Sequence, residues 1–554
     1  MDIPNYWLIF AASRTKNARP MEKKYRESWE YPCDNSDFAK IRNNKLVYVD
    51  KTDLIYQMTR NTCVFLNRPR RFGKSLLCST LQAYFLGRRE LFEGLKIMER
   101  EKEWTKHPVF RFDISALKEK TVEQMRIELF DQLTWAAKDN GLESPLRPSP
   151  GSTFQQLVKI AKEKTGYDAV IIIDEYDSPL LHIDQNDPLF AEVQSLLREF
   201  FITCKICVGQ LRFVFITGIT KFSHVSIFSE LNNLNNISMD AAFAALCGIT
   251  EDELHTQLDD DVEHLALSNG MSKEAMYDTL RWKYNGFHFS SSPEGVYNPY
   301  SIMLTFFKQQ LGDYWFSSAT PSFLFKKMQG FQLDLMKLNL GDPVESSSFD
   351  LAIQDMKTPL PLLYQSGYLT IKEFVPGANG YRLGIPNDEV RVGLFKNFMQ
   401  TLTPLDTSQR FSAVIQMHQA FRRNDPDAAL KALQSFLAGV PYLYEGQKAI
   451  LEDEQKLEAL HERDLYILFN GMGLNLQTQV TQAKGRVDMV VWLPDAIYIM
   501  EFKMRGTATA ALNQIDKNHY AAPYMADPRP KVKIGIRFTT QKHTITSWKI
   551  RREG

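Results

Sequence analysis

The chain has 554 residues, 44% of them apolar and 24% charged, which describes ordinary folded protein too long for a single hydrophobic core. Its 66 basic and 66 acidic residues cancel, so no overall charge advertises nucleic acid as a partner and only a local basic surface is left to consider. No apolar run approaches the ~18 to 20 residues of a bilayer span, and six cysteines are too few for a disulfide framework; no membrane association is expected, and the cytoplasm is the expected location.

The opening stretch, "MDIPNYWLIFAASR", has an acid ahead of a short apolar patch and too little length for a signal peptide. Residues 1–36 are read as an N-terminal extension, with "MEKKYRESWE" from Met21 resembling a more ordinary start. Further on, "TCVFL" (Thr62 to Leu66) is strand-like, and "KSLLCSTLQAYFLG" repeats apolar residues at helical spacing. Between them lies "NRPRRFGKS". A common phosphate-binding loop has Gly, four residues, then Gly-Lys-Ser or Gly-Lys-Thr. Here Gly73, Lys74 and Ser75 are in place, but Arg68 stands where the first Gly belongs.

Gly73 is the position where backbone must come closest to phosphate, so the stretch still reads as an ATP site. Arg70, Arg71, Phe72, Gly73, Lys74, Ser75 and Leu76 are its expected binding residues. Loop amides and the helix N-terminus would face the phosphates, Lys74 would reach the terminal ones, and Ser75 would ligate Mg²⁺. Arg68, Arg70 and Arg71 add positive charge; Arg70 or Arg71 is the candidate for phosphate contact, and at least one of the three is a solvated loop charge.

In "YDAVIIIDEYDSP" five apolar residues, Ala169 to Ile173, end in Asp174 and Glu175. A buried parallel strand reads this way, and ligands collect at the C-terminal ends of such strands. Asp174 is the candidate for the magnesium shell and Glu175 for polarising an attacking water. "VFRFDIS" and "LRFVFITGIT" supply two more strands. The second ends in Thr217 and Thr220, either phosphate-sensing groups or caps of the next helix. The lone Cys204–Cys207 pair has no second pair at zinc spacing and reads as two buried thiols at a helix end.

"YVDKTDLI", "NRPRRFGKSLL", "IIIDEYDSPL", "FITGITKFSHVSIFSELNNLNNIS", "LCGITEDEL" and "YNGFHFS…VYNPYSI" resemble the AAA-ATPase-like family common in anaerobic bacteria. The likeness runs from about Asp37 to the end. It implies an ATPase core fused to a C-terminal nuclease-fold domain, and a loop whose Arg-Pro-Arg-Arg-Phe-Gly-Lys-Ser form is the family's own. It also implies a parallel, ASCE-type P-loop core over residues 37–249 and a possible homo-oligomer.

Residues 250–345 are helical and mixed in charge, a lid over the nucleotide in which Arg281 and Lys283 read as surface charge. Residues 346–450 hold "YLTIKEF" and "GYRLGIP" around a Gly/Asn turn, a winged-helix-like unit, followed by linking helices. Few basic residues sit on the wing, which favours coupling between domains over DNA reading.

The last domain, 451–554, centres on "GRVDMVVWLPDAIYIMEFKM". Two apolar strands flank Pro494-Asp495, a two-residue turn. If Leu493 pairs with Ala496, Asp488 falls directly across from Glu501, and Lys503 shares the face because side chains alternate. Two carboxylates and an ammonium then converge, enough to hold a hard divalent cation, polarise a phosphodiester and steady its transition state. The spacing resembles the PD-(D/E)XK nuclease superfamily, with Val487 where that superfamily usually has Pro. The resemblance further implies auxiliary roles for Glu458, on the preceding helix, and Gln514, on the following one. The tail carries Arg529, Lys531, Lys533, Arg537, Lys542, Lys549, Arg551 and Arg552, candidates for phosphate-backbone contact.

The expected architecture is thus α/β: a P-loop core, helical lid, winged-helix-like linker and restriction-endonuclease-like C-terminal domain. The expected function is ATP binding and hydrolysis coupled to Mg²⁺-dependent cleavage of nucleic acid, DNA ahead of RNA. The alternative is an ATP-driven switch whose nuclease fold only binds nucleic acid or a protein.

Overall fold

The computed structural model describes residues 25–118, 121–145, 147–181, 183–221, 234–319, 338, 341–352, 355–402, 407–438, 454–482, 484–539 and 544–553. Outside these lie most of the N-terminal extension, residues 222–233 of the quoted "FITGITKFSHVSIFSELNNLNNIS" stretch, parts of the lid and linker, and Lys542. The chain divides into two compact units, one of described residues up to Asn387 and the other from Asp388 onward. The winged-helix-like hairpin belongs to the first and the helices after it to the second.

In the first unit, four short runs rich in apolar and β-branched residues form β1 (Cys63–Asn67), β2 (Val109–Asp113), β3 (Ala169–Asp174) and β4 (Leu211–Gly218), and the pair Asn235–Asn236 adds a short β5. They make one parallel sheet in the order β2-β3-β4-β1-β5. β1 and β3 are buried along their whole length, as a sheet covered on both faces requires. The helices that cover it carry their own start and stop signals. Ser149 caps the Pro150–Thr165 helix and Gly166, in the left-handed region at φ 76°, ends it. Phe154 and Phe200 stack, and Phe112 of β2 meets both edge-on.

The lid consists of β6 (Ile249–Thr250) paired with β7 (Val296–Tyr297) and four helices between Glu251 and Lys308. Arg281 is paired with Glu251 and Asp278, and Lys283 with Asp313, so both serve the lid's own ion pairs. The helix Leu360–Gln365 leads into the hairpin β8 (Thr370–Val375) and β9 (Gly380–Gly384), turned at Asn379 with φ 43°. Cys204 and Cys207 are buried free thiols at a helix end.

The second unit is a mixed sheet of β10 (Asn475–Gln482), β11 (Gly485–Trp492), β12 (Ile497–Lys503), β13 (Lys531–Phe538) and β14 (Ile545–Glu553), neighbours in chain order. Only β12 and β13 run parallel, joined through the helix Ala508–Lys517. Met489, Val491, Met500 and Phe502 pack on one face with Leu465, Leu468 and Phe469 of the helix Glu454–Gly471. Val490, Ile497 and Ile499 pack on the other against Leu512 and Ile515. Among the described residues no helix is long and apolar enough to cross a membrane.

Candidate nucleotide site and candidate nuclease site

β1 delivers the chain into the loop 68–73, and the helix Lys74–Phe85 leaves it with Gly73 as N-cap at φ 85°. Only glycine takes that backbone without strain. Arg71 (φ 66°) and Glu175 (φ 50°) are also left-handed, so two non-glycine residues hold a sparsely populated conformation near Gly73. Such strain persists where the surroundings over-determine the backbone, and it gathers at functional sites.

Lys74 is buried, its ammonium bonded to the carbonyls of Arg68 (3.1 Å) and Pro69 (3.2 Å) and 3.4 Å from Glu175 Oε1. Asp174 ends β3. Burial and the neighbouring Glu175 raise its pKa, while the Ser75 hydroxyl and Lys74 act to lower it. Its Oδ1 is buried without a hydrogen-bond partner among the described residues. An orphaned carboxylate oxygen beside a serine hydroxyl and a loop of amides is a donor set that fits Mg²⁺ with a nucleotide.

The other loop residues divide. Arg70 is half-buried and its side chain has no bonded partner among the described residues. Arg71 is exposed, with its guanidinium 4.5 Å from the centre of the Tyr300 ring. Phe72 is buried among Phe287 and Phe289, and Leu76 is half-buried in the helix's first turn. Arg68 is not a solvated charge but a buried one. Thr217 also departs from its expected part: its hydroxyl donates to Leu66 O at 2.7 Å, within the sheet. Thr220 Oγ1 donates to Asp177 Oδ2 at 2.7 Å.

Asp177 is a residue that the sequence reading passed over. Fully buried, it accepts from the backbone N–H of Ile219 and Thr220 and so fixes the end of β4 against the end of β3. Burial first, then Glu175, holds its carboxyl above the usual range. Gly218 makes this possible, because a Cβ there would overlap Asp177 and the Tyr176 ring.

In the second unit the two-residue turn forms as the spacing predicts. Leu493 N–H donates to Ala496 O at 2.8 Å, and Met489 pairs with Met500. One step further, the same register sets Asp488 opposite Glu501. The Asp488 carboxylate breaks the ladder there by accepting the Phe502 N–H at 2.7 Å. Lys503 Nζ lies 3.4 Å from Glu501 Oε1. Burial pushes both carboxyls above their ordinary values; Glu458 adds to this at Asp488, and Asp488 adds to it at Glu501, against the pull of Lys503. Glu501 Oε2 is buried with no hydrogen-bond partner among the described residues.

Glu458 sits half-buried on the helix Glu454–Gly471. One turn on, Glu462 is buried, accepts from Gln479 Nε2 at 2.6 Å, and leaves its Oε1 unpartnered. Burial raises its pKa to about 7, opposed by Gln479 and assisted by Asp488. The signal for Glu462 was the four-residue step from Glu458, which places both acids on one helix face. Gln514 is half-buried on the helix after β12, and no hydrogen bond joins it to the three central residues among the described ones. Among the described residues no group of three or more His, Cys, Asp or Glu is ready-formed around a metal position. Asp488 and Glu501 are therefore a two-carboxylate set, and the orphaned oxygen of Glu501 fits a hard cation that keeps water in its other positions.

Much of the tail's charge is spent inside the domain. Lys533 and Arg551 pair with Asp516, Lys533 also with Glu553, Arg529 with Asp527, and Lys531 bonds Asp527 O. Arg552 donates to Asn424 O at 2.7 Å. Arg537 is different. It is the register partner of Lys503 on β13, so it shares that face, and its buried Nε has no partner.

The first unit's parallel sheet, with β4 between the loop strand and the acid-bearing strand, defines a P-loop ATPase core, and the second unit's mixed sheet, carrying Asp488, Glu501 and Lys503, defines a restriction-endonuclease-like domain. Residues 32–228 match the family model described as "Predicted AAA-ATPase", and residues 456–548 match that of the PD-(D/E)XK nuclease superfamily. The chain carries both domains. It is also 29% identical over 532 residues to an uncharacterized protein in the vnfD 5′ region of Azotobacter chroococcum mcd 1, covering 94% of this chain and 99% of that one. A structure of the Aeropyrum pernix ORC1 protein in complex with DNA aligns over 90% of this chain and 98% of that chain at 11% identity, with a TM-score of 0.26, too low to bear on fold or function.

Proposed function

We propose that the protein binds and hydrolyses ATP and that this activity governs a Mg²⁺-dependent phosphodiesterase in the second unit, acting on nucleic acid, DNA ahead of RNA. The observation that carries the reading is the placement of buried Asp488 across from buried Glu501, with Lys503 beside them and one carboxylate oxygen left unpartnered. A surface hairpin has no reason to bury acids this way, since an unpaired buried carboxylate costs several kcal/mol by the usual order of magnitude.

Mg²⁺ held by Asp488 and Glu501 would supply Lewis-acid polarisation of the phosphodiester and a more acidic bound water. Lys503 then stands beside the charge that develops on the phosphoryl oxygens, where a fixed ammonium stabilises the transition state. Arg537, on the same face and with its buried Nε unpartnered among the described residues, is suited to a flanking phosphate. At the other site Lys74 exchanges its two loop carbonyls and Glu175 for the terminal phosphates. Glu175, released from Lys74, is left to orient water.

The test is plasmid or single-stranded DNA incubated with the full chain, Mg²⁺ and ATP. Metal-dependent cutting that Asp488→Ala abolishes in a folded protein supports the reading. Absence of cutting with any divalent metal, while ATP still binds, leaves the switch alternative in its place.

A further inference from the structure

The replacement of the loop's first glycine by Arg68 has a structural cause. The Arg68 guanidinium is 1% exposed. Its Nη1 donates to Asn67 O at 2.9 Å and Ser238 O at 2.8 Å, its Nη2 donates to Phe243 O at 3.2 Å, and its carbon lies 4.2 Å from the centre of the Phe289 ring. None of this charge is turned toward a phosphate.

The rest of the loop is held in the same way by residues far along the chain. Trp315 Nε1 donates to Arg70 O at 3.0 Å, and Asn298 Nδ2 reaches Arg71 O at 3.5 Å. Phe72 meets Phe287 and Phe289 edge-on, at 4.8 and 5.3 Å between ring centres. Pro69 closes onto Gly367, where any Cβ would crowd the proline ring. A trans peptide is planar, and its C=O and the following N–H point opposite ways. Fixing the Arg70 carbonyl on Trp315 and the Arg71 carbonyl on Asn298 therefore turns the Arg71 N–H away from Trp315 and the Phe72 N–H away from Asn298. Those are amides the ATP site needs aligned before the anion arrives.

We propose that Arg68 and Trp315 are positioning residues for the nucleotide: they shape the phosphate loop from outside, in place of the freedom a glycine at position 68 would give. This rests on the ATP reading above. It makes affinity for ATP depend on the lid, which supplies Phe289 and Trp315, rather than on the loop sequence alone.

The experiment measures binding of a fluorescent ATP analogue with Mg²⁺, saturated turnover and the melting temperature of the full chain. Trp315→Phe removes the N–H while keeping an aromatic ring, at the cost of the small cavity that the lost half of the buried indole leaves. It is expected to weaken binding about threefold to tenfold, the range for one lost hydrogen bond. Turnover at saturation should stay within about twofold of wild type, and the melting temperature should fall by only about 2 to 8 °C, the cost of the cavity, so the chain stays folded at the assay temperature. Arg68→Gly restores the common loop pattern, yet is expected to weaken binding by at least about tenfold, because three carbonyls lose their donor. If Trp315→Phe binds as tightly as wild type, or Arg68→Gly binds more tightly, the proposal is overturned while the ATP reading stands. If Arg68→Gly does not fold, Trp315→Phe alone decides. Wild-type protein that binds no nucleotide overturns both.

Discussion

Glu462→Gln is expected to make the second unit more stable at alkaline pH. The Glu462 side chain lies on the helix Glu454–Gly471, 5% exposed, with one oxygen bonded to Gln479 and the other to nothing. Burial raises its pKa from 4.5 to about 7. The folded chain therefore holds this proton more tightly than the unfolded chain. The contribution to stability is full below the unfolded value and is lost as pH rises through about 7. At ~1.36 kcal/mol per pH unit, that ionisation costs about 3 kcal/mol above neutrality. A glutamine keeps the volume but accepts more weakly from Gln479, returning about 1 kcal/mol, so the net gain is about 2 kcal/mol. For a unit of this size that corresponds to a rise of about 4 to 8 °C in melting temperature. Differential scanning calorimetry of the full chain with chelator present, from about pH 4 to pH 8.5, should show the gain at the alkaline end and none at the acid end. A variant less stable than wild type at pH 8.5, or equally shifted at both ends, would refute the account of Glu462 as an acid strained by burial.

Lys74→Ala should weaken nucleotide binding by about tenfold or more in equilibrium titration, since a charge-assisted contact is worth roughly 1.5 to 3 kcal/mol. Glu175→Gln should instead retain ATP binding and slow its turnover, read as bound ATP persisting after mixing. Mg²⁺ should raise the melting temperature of the second unit's transition in wild type, and Asp488→Asn should abolish that rise. Arg537→Ala should weaken DNA binding measured with Ca²⁺ in place of Mg²⁺ and lower the salt dependence by about one phosphate contact. Gly218→Ala should cost ~1 to 3 kcal/mol by pushing a methyl into Asp177, and should weaken ATP binding with it.

The centre of the nuclease-fold site was legible because a two-residue turn fixes parity. Once Leu493 meets Ala496, the ladder has no freedom left in where Asp488 and Glu501 fall. The loop strand and the acid-bearing strand were legible for a similar reason: a continuous apolar run ending in Asp174 has few other meanings. Contacts closed over long stretches of chain were not. Arg68 is buried by Ser238, Phe243 and Phe289, none of which is near it in sequence. The same holds for Asp177, whose partners begin at Ile219, and for the tail cations, whose charges are matched by Asp516 and Asp527. Thr217 shows a smaller failure. Its place at a strand end is as expected, but alternation along β4 alone did not say that its hydroxyl would turn to Leu66 O.

β14 is the outer rung of the second sheet, and an outer rung offers its unpaired amides and carbonyls to any other strand that comes by. Exposed Lys549, Arg551 and Arg552 line this one. Arg551 is matched by Asp516 and Arg552 is bonded to Asn424 O, so Lys549 is the cation that two copies meeting there would bring face to face, a like-charge cost set against pairing of the edge with itself.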